Sequence, residues 1–259
     1  MRRPRTDRAA LREHMAPLLR RVAFSQTAVR LCKESGDARM ERFLVSVLEA
    51  ELDNRQKVRR ARLLREAAFP VYKTLEGYEF ANVKLPPMLE RAELESASFI
   101  EEKRNLVLYG PVGTGKTHLA IGLGVAACAR GHRVRFYTAA QLVVRLSEAF
   151  ATGTLEKLLR TILKADLLII DEWGYVPVDR QGAQLLFRVV SDSYERRSLI
   201  LTTNLEFSKW GTIFTDDQMA AAMIDRLAHH GHIVIFEGES YRMKHALMRQ
   251  KPPHKLPTN

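Results

Sequence analysis

Residues 110–117 read Gly-Pro-Val-Gly-Thr-Gly-Lys-Thr, the spacing G-x-x-x-x-G-K-T, and few eight-residue segments restrict a fold as tightly. An apolar run, Leu106–Tyr109, precedes it and a helical pattern, Lys116–Arg130, follows. The segment is therefore expected to be a loop that turns a buried strand into a helix. Glycines at 110, 113 and 115 let successive N–H groups point inward, and the helix N-terminus adds its partial positive charge at the same place. Such a loop cradles phosphate. Gly110, Pro111, Val112, Gly113, Thr114, Gly115, Lys116 and Thr117 are the expected nucleotide-binding residues. Lys116 is placed to reach the β- and γ-phosphates of ATP, and the Thr117 hydroxyl to ligate Mg2+.

Further short apolar runs follow at Val134–Tyr137, Leu167–Ile170, Leu199–Thr202 and Ile233–Phe236, with amphipathic stretches between them. This alternation predicts an α/β fold, a parallel sheet between helices. The run Leu167–Ile170 ends in Asp171-Glu172. Buried strands carry carboxylates at a cost unless these are paired or bind a cation, so Asp171 is expected to help hold Mg2+. Glu172 is then positioned to polarise an attacking water. The run Leu199–Thr202 ends in Thr203-Asn204, and Asn204 is expected either to meet that water or the γ-phosphate, or to serve as a turn residue. Arg226 precedes the last strand and Arg242 follows it. Either would supply positive charge to a transition state, or form a surface ion pair; spacing does not separate the two.

The N-terminal quarter is different in kind. It shows helical signals only, with a break at Gly36-Asp37 between a helix near Phe24–Glu34 and a longer one. In the longer helix Leu44, Val47, Leu48, Glu51, Leu52 and Arg55 recur at spacings of three and four. Residues 1–66 hold 17 Lys and Arg against 9 Asp and Glu, whereas the rest of the chain holds 24 against 21, within a net charge of +11. A polyanion-binding surface is therefore expected mainly in this quarter, the alternative being a solvated charged helix. Arg55, Lys57, Arg59, Arg60, Arg62 and Arg65 are the expected DNA-binding residues, with salt-dependent, sequence-independent binding. The two cysteines, Cys32 and Cys128, have no partners at metal-ligand spacing. No apolar run reaches the length of a membrane span, so a cytoplasmic protein without a membrane partner is the expectation.

Taken together, Gly110–Leu119, Asp166–Pro177, Tyr194–Asn204, Ala222–Val234 and Gly238–Arg242 resemble the AAA+ ATPases. The likeness is to the branch of bacterial helicase loaders and transposition helpers, and most of all to the IstB family of IS21-type insertion sequences. The resemblance implies an AAA+ core with Asp171 and Glu172 as the Walker B pair, Asn204 as sensor 1, Arg226 as an arginine finger acting in a neighbouring subunit, and Arg242 as sensor 2. It also implies a homo-oligomer formed on duplex DNA under the control of ATP, and an integrase-like transposase as partner. The expected organisation is a basic, all-helical domain at 1–68, a linker leading into the ATPase core at 69–104, the AAA+ domain at 105–250 and a flexible tail at 251–259. Only Tyr241–Gln250 remains for a C-terminal lid, which is therefore rudimentary.

Three other readings share parts of this pattern. A replicative helicase loader has the same ATPase core with a protein-binding N-terminal domain. A nucleotide-regulated DNA-binding protein keeps the loop without turnover. A small-molecule P-loop kinase explains neither the Asp171-Glu172 pair nor the basic N-terminus.

Overall fold

The computed structural model describes residues 5–175, 178–214 and 216–241. Arg242, the remainder of the expected lid and the tail 251–259 lie outside the described residues. The chain forms two compact units, Met1–Arg62 and Leu63–Asn259.

The first unit is helical: α1 (Arg5–Arg21), α2 (Gln26–Ser35) and most of α3 (Ala38–Ala67). Helix α2 begins at Gln26, later than the sequence suggested, because the Ser25 hydroxyl caps it by accepting from Ala28 N at 3.2 Å. The Gly36-Asp37 break is set by a second cap: Asp37 Oδ1 accepts from Arg39 N and Met40 N, both at 2.8 Å, an arrangement that contributes about 1 kcal/mol. Met15, Leu18, Leu19, Val45 and Leu48 make the small core. Val45, not Val47, is the inward valine of α3; Val47 is 45% exposed. Against this core sits Glu41, 1% exposed, with Arg8 Nε at 3.0 Å and Arg12 Nε at 2.7 Å. The Arg8 hydrogen bond is the largest influence holding the Glu41 carboxyl below the usual carboxylate range. Further along α3, residues 53–62 are exposed on every face.

The second unit is a six-stranded sheet in the order β1-β6-β2-β5-β4-β3. After the end of α3 come β1 (Val83–Lys84), α4 (Arg91–Ser96), α5 (Ser98–Glu101), β2 (Asn105–Tyr109) and α6 (Lys116–Ala129). Then follow β3 (Val134–Thr138), α7 (Ala139–Ala151), α8 (Leu155–Ile162), β4 (Leu167–Trp173) and α9 (Arg180–Ser193). The last elements described are β5 (Ser198–Thr203), a 3-10 turn (Phe207–Lys209), α10 (Gly211–Phe214), α11 (Asp217–His229) and β6 (Gly231–Phe236). Among the described residues all strand pairs are parallel except β1 with β6.

Strict alternation along the strands builds two cores from one sheet. Leu106, Leu108, Ile169, Ile200 and Val234 pack with α6 on one face, while Val107, Leu168, Ile170, Leu199 and Leu201 pack with α7, α9 and α11 on the other. In β2, β4 and β5 both faces are covered, which is why these strands read as continuous apolar runs. Each of these fully buried side chains contributes about 1.5–3 kcal/mol.

The segment 69–104, expected to lead as a linker into the ATPase core, itself contributes to that core. Val83 and Lys84 pair with Phe236 and Ile235, so it adds an edge strand to the sheet. Phe69, Leu75, Tyr78 and Phe80 pack against the core that contains α6. Two glycines of α6 make room: a Cβ on Gly122 would lie 2.6 Å from the Leu75 side chain, and one on Gly124 2.7 Å from Phe69. The strand β1 is two residues long and carries no apolar alternation for a sequence pattern to detect.

Candidate nucleotide-binding and hydrolysis site

The loop Gly110–Thr117 lies between β2 and α6, as the sequence predicted, at the carboxyl end of a strand near the middle of the sheet. Its backbone requires glycine. Gly110 has φ +150°, and a Cβ there would stand 2.3 Å from the Phe236 carbonyl oxygen. Gly115, with φ +100°, begins α6, and its own Cβ would press on the Tyr78 hydroxyl at 3.1 Å. The loop edges a cleft of about 760 Å3, lined also by Tyr78, Asn82, Glu172, Tyr175, Thr202 and Tyr241. That volume suits a nucleotide-sized ligand.

Lys116 is buried and donates from Nζ to the carbonyl oxygens of Gly110 at 2.7 Å and Pro111 at 2.6 Å. A buried ammonium needs such acceptors, and these hold its charge at the centre of the loop. The outer side of the loop is bridged too: Tyr241 N donates to Gly113 O at 2.9 Å. On the inner side, the Tyr78 hydroxyl donates to Gly115 O at 3.4 Å, and its ring meets His118 edge-on at 5.1 Å. Burial pushes the Tyr78 phenol up to about 12, which keeps it a neutral donor.

Thr117 Oγ1 donates to Asp171 Oδ1 at 2.9 Å. The Thr202 hydroxyl donates to the same oxygen. Asp171 is 4% exposed, and two neutral hydroxyls hold its carboxylate in place. A buried carboxylate bound by hydroxyls, one of them the threonine that ends the phosphate loop, is an all-oxygen donor set of the kind that suits Mg2+. Thr117 and Asp171 are the residues that would hold it.

Glu172 is turned differently from its neighbour by a distortion of β4. The register between β4 and β5 shifts between Ile170 and Trp173, and Glu172 takes a left-handed backbone, φ +61°. A bulge of this kind re-aims a side chain. Asp171 stays buried while Glu172 is exposed on the cleft. Thr202 secures the bulge, its Oγ1 accepting from Glu172 N at 3.0 Å. One hydroxyl thus fixes both acids. Sequence reasoning missed Thr202, for which the polar tip Thr202-Thr203-Asn204 was the available signal.

The remaining expected residues are placed as follows. Asn204 is exposed just beyond the end of β5 and is not among the residues lining the cleft. The strand ends there because Thr203 Oγ1 turns back, donating to Trp173 O and accepting from Leu205 N. Arg226, on α11, is likewise not brought to its own chain's cleft. It donates to Ala222 O at 2.8 Å, and its guanidinium lies 5.1 Å from the centre of the Phe187 ring. Arg55, Lys57, Arg59, Arg60, Arg62 and Arg65 are all exposed on α3, with Arg55 and Lys57 paired to Glu51 and Asp53 one turn earlier.

A phosphate loop after β2, paired acids at the end of β4 and a parallel sheet wrapped by helices define an ATP-binding protein of the AAA+ class. Residues 17–249 match the family model described as IstB-like ATP binding protein, and the chain belongs to that family. It is 42% identical over 211 residues to the ATP-binding protein of insertion sequence IS5376 from Geobacillus stearothermophilus, covering 81% of this chain and 83% of that one. The ATP-binding protein of insertion sequence IS21 from Pseudomonas aeruginosa is 41% identical over 205 residues, 78% of this chain and 76% of the other. Among solved structures, the DnaC helicase loader superposes with a TM-score of 0.50 at 22% identity, over 63% of this chain and 96% of that one, a likeness of fold. Among the described residues no helix is long and apolar enough to cross a membrane.

Proposed function

We propose that this protein hydrolyses ATP at sites shared between copies of itself, and that ATP-driven assembly on duplex DNA lets it deliver that DNA to an integrase-like transposase. The observation that carries the reading is the division of labour around Thr202. Asp171 is held inward beside Thr117, while Glu172 is presented to the cleft, where a carboxylate can orient water and accept its proton. Mg2+, when bound, neutralises charge on the β- and γ-phosphate oxygens. Lys116 offers its ammonium to the same oxygens, and the loop N–H groups position them. What the cleft does not contain from its own chain is an arginine from α11, since Arg226 is stacked on Phe187. An arginine supplied by a neighbour fits that arrangement, and makes hydrolysis conditional on assembly.

Support for DNA as the platform comes from α3, whose middle is exposed all round and bears Arg55, Lys57, Arg59, Arg60 and Arg62, with Arg65 beyond. Family membership favours a transposase as recipient; the fold shared with the DnaC helicase loader keeps a hexameric helicase as the second reading. Electron microscopy of the protein with duplex DNA and a non-hydrolysed ATP analogue tests the assembly, and rings or filaments requiring both ligands are expected. Particles that remain single under those conditions would sink the proposal. Mixing Arg226→Ala with Lys116→Ala protein tests the shared site: activity is expected to return in mixed assemblies. Co-purification with a helicase instead of a transposase would shift the reading to a loader.

A further inference from the structure

The nucleotide cleft lies at the carboxyl ends of the parallel strands, and a second cluster of ligand-type side chains lies at their amino ends. Tyr194–Arg197 is the turn from α9 into β5, and His229–Gly231 is the junction from α11 into β6. Glu195 from the first and His229 and His230 from the second each offer one ligand atom, all within 4.8 Å of one another. We propose that Glu195, His229 and His230 bind a divalent transition-metal ion of the zinc type, which clamps the α9–β5 turn to the end of α11.

The two junctions are already locked in place by Asn105, which is buried at the start of β2. Its N–H donates to His230 O at 2.7 Å, and its Oδ1 accepts from Leu199 N at 3.0 Å. Gly231 allows the tight passage out of α11, since a Cβ there would stand 2.2 Å from Leu227 O. On this rigid base Glu195 takes a left-handed backbone, φ +56°, and its carboxylate meets His230 Nε2 at 2.8 Å. Strained backbone that brings a carboxylate onto an imidazole is a feature of ligand clamps. The Tyr194 hydroxyl is 2.9 Å from His229 Nδ1 and fixes that ring, as outer-shell partners of metal-binding histidines do.

Two imidazoles and one carboxylate with an open fourth position form a zinc-type donor set, whereas Mg2+ prefers oxygen ligands. The ion replaces the proton between Glu195 and His230, and modest rotation of the three side chains, two exposed and one half-buried, closes the 4.8 Å spread to coordination distance. Binding here needs neither nucleotide nor a second subunit, so the inference stands apart from the proposed hydrolysis. It would nonetheless fix the end of the helix that carries Arg226.

The test is calorimetric titration of ZnCl2 into the metal-free full-length protein, with thermal unfolding in parallel. One Zn2+ per chain at low-micromolar affinity is expected, with a raised unfolding midpoint, and MgCl2 should do neither. Glu195→Gln, and His229→Gln with His230→Gln, should each weaken binding at least tenfold; Tyr194→Phe should weaken it by about tenfold. ATP-analogue binding reports that each variant is folded, and if the histidine pair proves necessary for folding the Glu195 and Tyr194 variants decide alone. Zinc affinity unchanged by Glu195→Gln and Tyr194→Phe, or saturation only at millimolar Zn2+, overturns the site.

Discussion

The nucleotide cleft and the middle of α3 present positive charge in opposite ways. In the cleft, Lys116 is 7% exposed and held by two carbonyl oxygens, and Asp171 is held by two hydroxyls. On α3 the cations are exposed, and Arg55 and Lys57 share their charge with acids one turn away. The first arrangement recognises the shape of one phosphate chain, because its donors are fixed before the ligand arrives. The second would sum weak, screened attractions over a repeating polyanion such as the proposed DNA. A change at the cleft should therefore act all-or-none, and changes on α3 by degrees.

Lys116→Ala should break the comparison hardest: ATP-analogue binding, followed by calorimetry, is expected to vanish together with DNA-dependent assembly. Affinity for ATP that survived would mean the loop does not hold the phosphates. Glu172→Gln should come next, lowering steady-state hydrolysis by about 100- to 10,000-fold while leaving binding intact. Equal loss of both would make Glu172 a binding residue. Replacing Arg59, Arg60, Arg62 and Arg65 by Gln should leave nucleotide affinity unchanged and act on DNA in increments. The slope of log affinity against log salt should fall by about 0.9 for each phosphate that is no longer neutralised; an unaltered slope removes this face from the DNA path.

The smallest effect concerns the first unit alone. Glu41 has a lowered folded pKa, so its contribution to stability is complete above the ordinary carboxylate value and is lost as pH falls through the folded one. Thermal unfolding from neutral to acid pH should show this loss in the native protein. Glu41→Gln should start lower and change less over the same window, and parallel curves would show that the Arg8–Glu41–Arg12 cluster does not govern the acid limb.

How much of this was legible in the sequence depended on how local the cause was. The strands β2, β4 and β5 were readable because burial on both faces forces runs such as Leu167–Ile170, and the loop because its glycines answer to backbone angles within eight residues. Thr202 was not readable as the organiser of both acids, since its role depends on a register shift between β4 and β5 that neither strand declares alone. Val47 was misplaced because an exposed apolar residue sits beside the true stripe of α3, where only packing distinguishes it from Val45. The segment 69–104 looked like a linker because its place in the core is fixed from outside, by the missing side chains of Gly122 and Gly124. Glu195 and the two histidines are distant in the chain and meet only through the ends of β2, β5 and β6.

The left-handed backbone of Glu172 also bears on how copies of this protein would age. A non-glycine residue held there costs on the order of 1–3 kcal/mol, a burden the fold carries at one residue of the cleft. Replacement by glycine or asparagine relaxes that angle and silences the carboxylate in a single step. If Glu172 serves hydrolysis as proposed, a lineage released from that role would drift toward sturdier, inactive proteins at this position first, and decay would look like stabilisation.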